Sequence, residues 1–298
     1  MFRRIFSFIV IVFALIGFGF VSVYFAVKFG LTNTTGIIDQ QTDQFIQSGI
    51  ENLPNSLPSI DINTIATGTT SHTPAIVTPT YTPWSNTYEW EIIKSALSKD
   101  IAVVQRASVD SGVPARLIVT QLVVEQLRLF FSEREAFKKW FEPLKILGSQ
   151  TQFSWGVMGM KEETAILVEQ YLKDPTSPYY LGEAYEHLLD FQTEDIASER
   201  FTRMTDQHDH YYSYLYAGLF IKQITTQWRN AGYEIANSPD IISTLYNLGF
   251  SKSIPNPDPK SGGALITIDG INYSFGSLGA EFYKSDELLN DFPRYVLQ

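Results

Sequence analysis

The sequence predicts a mainly α-helical fold, carried behind an N-terminal transmembrane helix and a disordered tether and closed by a small C-terminal β-hairpin plus helix. Three observations predict it. From Glu89 onward apolar residues recur at helical spacing, and nothing between 89 and 250 sustains strand alternation. Residues 5–27 form an uncharged apolar run. Near the end, ALITID-G-INYSF alternates apolar and polar residues across an Asp269-Gly270 pair, the strongest short hairpin signal.

Composition narrows the class. Hydrophobic residues are 44% of the 298 and aromatics 14%, enough for one sizeable core. Cysteine is absent, which excludes disulfides, cysteine-based zinc sites and a thiol nucleophile. The first 28 residues hold Arg3, Arg4 and Lys28 and no acid, so 19 basic residues face 32 acidic ones in the remainder. A surface that acidic argues against nucleic acid or anionic lipid as the main partner.

The elements follow in order. Arg3 and Arg4 precede the run from Ile5 to Val27, which as a helix spans roughly 35 Å, the thickness of a bilayer core. A cleaved signal peptide is the alternative; the run's length and its Tyr24, Phe25 and Lys28 flank favour an uncleaved anchor. The arginines place the N-terminus in the cytoplasm and the rest outside it. Residues 1–30 are thus tip and anchor, and 31–88 a tether, since no Lys or Arg occurs between Lys28 and Lys94 and Pro, Thr and Ser crowd Asn52 to Ser85. Within it, Ile37 to Ile50 has the pattern of a short amphipathic helix.

A domain over 89–253 comes next. Helices are expected at Trp90–Ser111, Val113–Arg128, Glu133–Leu147, Glu162–Lys173, Pro178–Phe191, Ile196–Thr205, Tyr211–Asn230 and Pro239–Leu248, with Gly148–Phe153 a loop. Ser111 or Asp110 is placed to cap the second of these, and Asn237 or Ser238 the last. In 254–298, Pro255, Pro257, Pro259 and Gly262-Gly263 form a linker to the hairpin, and Phe275–Asp291 reads as a helix. A lone hairpin is marginal in water, so this tail should pack on the domain.

The second helix, VPARLIVTQLVVEQLR, carries an oddity. Glu125 shares a face with Ile118, Gln121, Leu122, Arg128 and Leu129. A carboxylate on an apolar stripe is either paired, here with Arg128 or Arg116, or present for its proton. Burial disfavours the charged form, which is how a general acid stays protonated near neutral pH. Asp206, His208, Asp209 and His210 invite a metal reading, but two His two apart do not share a helix face and no third ligand stands at a suitable spacing. No metal and no cofactor is expected.

Three segments together resemble the lysozyme-like lytic transglycosylases of the Slt type, glycoside hydrolase family 23, and more distantly the goose-type lysozymes. The family's V-D-P-A-L, followed by a mostly apolar run and Glu-Ser, is matched by Val113, Leu117 and Glu125. Its S-x-G-L-M-Q-L-M-P-x-T-A is similar to SWGVMGMKEETA, through Ser154, Gly156, Met158, Thr164 and Ala165. Its A-A-Y-N-A-G is similar to STLYNLG, through Tyr246, Asn247 and Gly249. The chain departs from the family where Ser becomes Gln126 and where the Gln after Met becomes Gly159. The resemblance covers roughly 100–250.

That resemblance implies a lysozyme-like domain that cleaves peptidoglycan at the MurNAc-GlcNAc bond. One Glu, here Glu125, would act first as acid and then as base toward the C6 hydroxyl, leaving a 1,6-anhydro sugar. Ser154, Gly156, Met158, Gly159, Tyr246 and Asn247 would contact the glycan or shape its groove, with Asn247 also fixing its own turn. The partners implied are murein strands and, through residues 5–27, the bilayer of the plasma membrane, with the domain extracytoplasmic. A water-using muramidase is a rival and needs a second acid, for which Asp110, Glu133 and Glu142 are candidates. A non-catalytic murein-binding or envelope-assembly module on the same fold is another.

Overall fold

A computed structural model describes residues 37–53, 82–131 and 154–294. The expected span at 5–27, the middle of the tether, the helix over 133–147 and the loop to Phe153 lie outside the described residues. Within them the protein is mainly helical with a small C-terminal two-stranded sheet. No helix there is long and apolar enough to cross a membrane. The helices are α1 (Ile37–Glu51), α2 (Tyr88–Ser111), α3 (Ala115–Phe131), α4 (Glu162–Leu172), α5 (Ile196–Thr205), α6 (Tyr211–Asn230), α7 (Pro239–Leu248) and α8 (Phe275–Lys284). Two-residue strands β1 (Ser154–Trp155) and β2 (Met160–Lys161) pair antiparallel, as do β3 (Leu265–Ile268) and β4 (Ile271–Ser274).

The architecture is built around α3. Every residue from Ala115 to Leu127 is buried, as expected of a helix that is apolar almost all round. It is contacted by α2, α6, α7, α8 and β3. Its N-terminus is set by its neighbour. Thr87 caps α2 by accepting from the Trp90 N–H, and α2 runs through to Ser111, where left-handed Gly112 ends it. Ser111 and Asp110 are therefore the last turn of α2 and do not cap α3: the Ser111 hydroxyl donates to the Ala107 carbonyl, and Asp110 accepts from the Tyr211 hydroxyl. Pro114 opens α3, its carbonyl taking the Leu117 N–H.

Within the expected tether over 31–88, the short amphipathic helix offered by Ile37–Ile50 is present as α1, and the end of the tether is corrected. Helix α1 packs on α2, with Phe45 buried against the His210 ring. Pro83–Asn86 forms a 3₁₀ turn, and Trp84 sits fully buried between Trp90 and Phe282. Its indole N–H donates to Glu281 at 3.2 Å. Aromatic burial, worth about 2–3 kcal/mol per side chain, outweighs the Pro/Thr/Ser composition wherever a Trp or Phe interrupts it.

Pro178–Phe191 is not a helix. Asp174 accepts from the Thr176 N–H and Ser177 from the Tyr179 N–H, and Gly182 sits at φ 98°. Such local side-chain-to-backbone bonds compete with the helix ladder. The result is a chain of turns from which Tyr179 stacks on Tyr171 and edges against Phe250. Helices α4, α5 and α6 are joined by an ionic knot. Arg200 of α5 forks onto Glu169 of α4 at 2.6 and 2.7 Å, and Tyr216 of α6 donates to the same carboxylate at 2.7 Å.

The tail packs on the domain, as expected, and is part of the same core. Ile266, Ile268, Tyr273, Phe275, Leu278, Phe282 and Phe292 join the cluster built on α3. The hairpin turns at Asp269 (φ 49°) and Gly270 (φ 79°), both left-handed, as a two-residue turn requires. Helix α8 starts with a Ser274–Ser277 capping box. It ends at Lys284 rather than Asp291, because the buried guanidinium of Arg116 draws off the carbonyls that a continuing helix would use. Its five N–H donors bond the carbonyls of Phe282, Tyr283, Ser285, Glu287 and Phe292 at 2.7–3.0 Å.

Candidate active site

Glu125 is the eleventh residue of α3, in the run Ala115–Leu127 whose every other member is buried, and it is itself only 4% exposed. Arg128, one turn on, forks onto it: Nε donates to Oε2 at 2.9 Å and the guanidinium's other arm to Oε1. Of the two pairings the sequence left open, this is the one formed, since Arg116 is committed to the tail. Burial pulls the Arg128 pKa down, but the bonds to Glu125 and its charge outweigh that, and the net shift is upward. The guanidinium is thus charged, and both carboxylate oxygens are acceptors.

The second segment is laid across this carboxylate. Gly156 (φ 65°) and Gly159 (φ 60°) bracket a turn between β1 and β2, closed by the Gly159 N–H donating to the Gly156 carbonyl. Trp155, Val157, Met158 and Met160 anchor the turn in the core. Gln126, where the resembled family has Ser, donates its amide to the Val157 carbonyl at 2.7 Å. Gly159 is left lying on Glu125 so closely that a Cβ there would fall 2.3 Å from Oε1. The third segment arrives from α7. The Tyr246 hydroxyl donates to the Met158 carbonyl at 2.9 Å, and burial together with the Glu125 charge pushes that phenol well above its ordinary pKa.

The structure thus brings Glu125, Gly156, Met158, Gly159 and Tyr246 together. Met158 is fully buried, so its carbonyl rather than its side chain is the part in use. Ser154 stands in β1 opposite Lys161. Asn247 is turned to the tail, where its Oδ1 accepts from the Ala264 N–H at 2.8 Å, so it ties α7 to the segment before the hairpin rather than fixing its own turn. Asp110 is held by Tyr211 on α2, and Glu133 and Glu142 lie outside the described residues. Asp206 and Asp209 cap turns through the N–H groups of His208 and Tyr211, and His210 pairs with Asp100. Among the described residues no group of three His, Asp or Glu could hold a metal. Sequence reasoning missed the part played by Gln126, because an amide reaching a carbonyl 31 positions away leaves no local pattern.

Glu125 lines neither of two cavities in the fold, one of about 340 Å³ at the start of α3 and one of about 120 Å³ between α7 and the linker. Arg128 and Gly159 close it in. The contact with Gly159 predicts a specific sensitivity. Gly159→Ala forces a left-handed Ala, at about 1–2 kcal/mol, and drives the new methyl into the carboxylate. The control is Gly270→Ala, also at a left-handed position (φ 79°) but with nothing within 4 Å of the new Cβ. We expect Gly159→Ala to unfold at clearly lower temperature than Gly270→Ala in thermal melts; equal losses would mean Glu125 yields freely.

Comparison with protein-family models, with curated proteins and with solved structures found no match for this chain.

Proposed function

We propose that the chain is a membrane-anchored enzyme with a lysozyme-like domain, cleaving peptidoglycan outside the plasma membrane by a single-Glu lytic transglycosylase route. The observation that carries this reading is convergence. Three segments far apart in sequence meet around one buried carboxylate: α3 supplies Glu125, the β1–β2 turn supplies Gly159 and the Met158 carbonyl, and α7 supplies Tyr246. In the proposed reaction Glu125 gives its proton to the leaving glycosidic oxygen as the C1–O bond breaks. It then takes the proton of the C6 hydroxyl of the same MurNAc as that oxygen bonds to C1. No water and no cofactor enters. Residues 5–27 would hold the enzyme at the bilayer, and murein strands would be its partner.

A second reading has its own observation. Arg128 donates to both oxygens of Glu125, so each already has a partner before any glycan arrives. In a catalytic cycle Arg128 must swing away when glycan enters; in a non-catalytic murein-binding module it need not. Digestion of purified murein with mass spectrometry of the products decides. Anhydro-MurNAc ends are expected. Reducing ends would mean a water-using muramidase, and retention of the protein on murein without soluble products would mean a binding module.

A further inference from the structure

The 340 Å³ cavity at the start of α3 plays no part in the site above. Its floor is apolar, from Val113, Pro114, Leu117 and Ile221, and its rim is polar, from Lys222, Thr225, Arg229, Glu234 and Asn237. Volumes of about 300–1,000 Å³ are usual for small-ligand sites, so it has room for a chain end rather than a large cofactor. Two cations converge on it from one face of α6, seven residues apart. Neither makes an ion pair among the described residues. Lys222 is half-buried and reaches only the Gly112 carbonyl at 3.3 Å, and Arg229 reaches only the Thr226 hydroxyl at 3.3 Å. The Lys222 pKa is lowered by burial and by repulsion from Arg229. In a chain with 32 acids and 22 bases, two neighbouring cations with no carboxylate between them are out of balance.

The one acid on the rim does not correct this. Glu234 spends an oxygen on the Ala236 N–H at 2.8 Å, bracing its own loop. An incoming oxyanion would relieve the Lys222–Arg229 repulsion and satisfy a guanidinium fork whose geometry suits a carboxylate. The apolar floor then takes a small side chain, and Asn237 adds an amide-bearing residue to the lining.

We propose that this cavity is a binding site for the free carboxylate end of a short peptide, with Lys222 and Arg229 holding the carboxylate and the Val113–Leu117–Ile221 floor holding the last side chain. The site is separate from Glu125, which lies eight residues beyond Leu117 and so about 12 Å further along α3.

The test titrates the full chain, by isothermal calorimetry or amide-shift NMR, with N-acetyl-alanyl-alanine as free acid, with its C-terminal amide and with inorganic phosphate. The acid should bind at least about tenfold more tightly than the amide, one lost charge-assisted contact being worth about 1.5–3 kcal/mol. Lys222→Met and Arg229→Met should each remove most of that difference. Both side chains reach solvent, so the variants should keep the wild-type melting temperature; Arg229 is the more exposed and gives the cleaner variant should Lys222→Met melt early. Equal binding of acid and amide, no binding of either, or phosphate competing as strongly as the peptide would each overturn the proposal, the last by making the cavity a general anion site. The probes carry no glycan, so this outcome and the murein digestion stand or fall separately.

Discussion

Glu125→Gln is expected to lower release of soluble muropeptides from purified murein by about a thousandfold, the middle of the range for a lost general acid–base group, while leaving the fold intact. The amide keeps the volume of the acid in a site 4% exposed, and its oxygen still accepts one of the two Arg128 bonds. What it cannot do is give and retrieve a proton. Arg128 makes the experiment discriminating. If the pair is only a structural ion pair, Glu125→Gln leaves a partly buried guanidinium half-satisfied. The loss then shows in thermal melts, at a few kcal/mol at most, with wild-type and variant equally able or unable to digest murein. If Glu125 is the proton carrier, the loss shows in cleavage first. Pull-down on murein adds the last distinction: a catalytic variant that is dead but still sediments with the polymer has kept its binding surface, whereas one that neither cuts nor binds has lost its shape.

The helical period exposed most of this fold because the core is helical and local. The bounds of α2, α4, α5, α6 and α7 follow from apolar stripes, breakers and caps within a turn of each end. The hairpin was legible from one dipeptide, since two consecutive left-handed residues leave few choices beyond Asp-Gly. What failed depended on distant partners. Pro178–Phe191 has a helix-like spacing of aromatics, yet Tyr179 answers to Tyr171 and Phe250 rather than to its own next turn. The tether composition hid Trp84, whose partner Phe282 lies far along the chain. At the site, periodicity flagged Glu125 and left Arg128 and Arg116 as its candidate partners, a choice only the fold made. Nothing local could show that Gly159 clears room for that carboxylate, because its neighbour is reached only after α3, the β1–β2 turn and α7 have packed.

Arg116 is the strongest case of this kind, and Arg116→Met should be the most destabilising single change outside the aromatic core. On the sequence it is a basic residue in the first turn of a helix, where the helix dipole disfavours it. In the fold it is fully buried and its neighbours include no bonded carboxylate; all five donors end on backbone carbonyls of 282–292. Desolvation, with a smaller push from Arg294, brings its pKa down to about 10, so it stays charged at neutral pH. The guanidinium does for this turn what a helix ladder does for a regular one. Methionine fills most of the volume but bonds none of these carbonyls. Phe282 and Ser285 keep other donors, from Ser285 and Arg294, so the loss falls mainly on Tyr283, Glu287 and Phe292. At about 1–3 kcal/mol for a buried group left unsatisfied, a loss of about 4 kcal/mol is expected. For a domain of this size that lowers the melting temperature by roughly 10 °C. Arg116→Lys should recover only part of it, since an ammonium has three donors and no planar fork. A drop under about 2 °C for the Met variant, against that same scaling, would mean water replaces the clasp. The larger consequence is for α3: the tail is fastened to the helix that carries Glu125, about two and a half turns upstream of it, so the residues after 254 belong to the framework of the site rather than to an appendage.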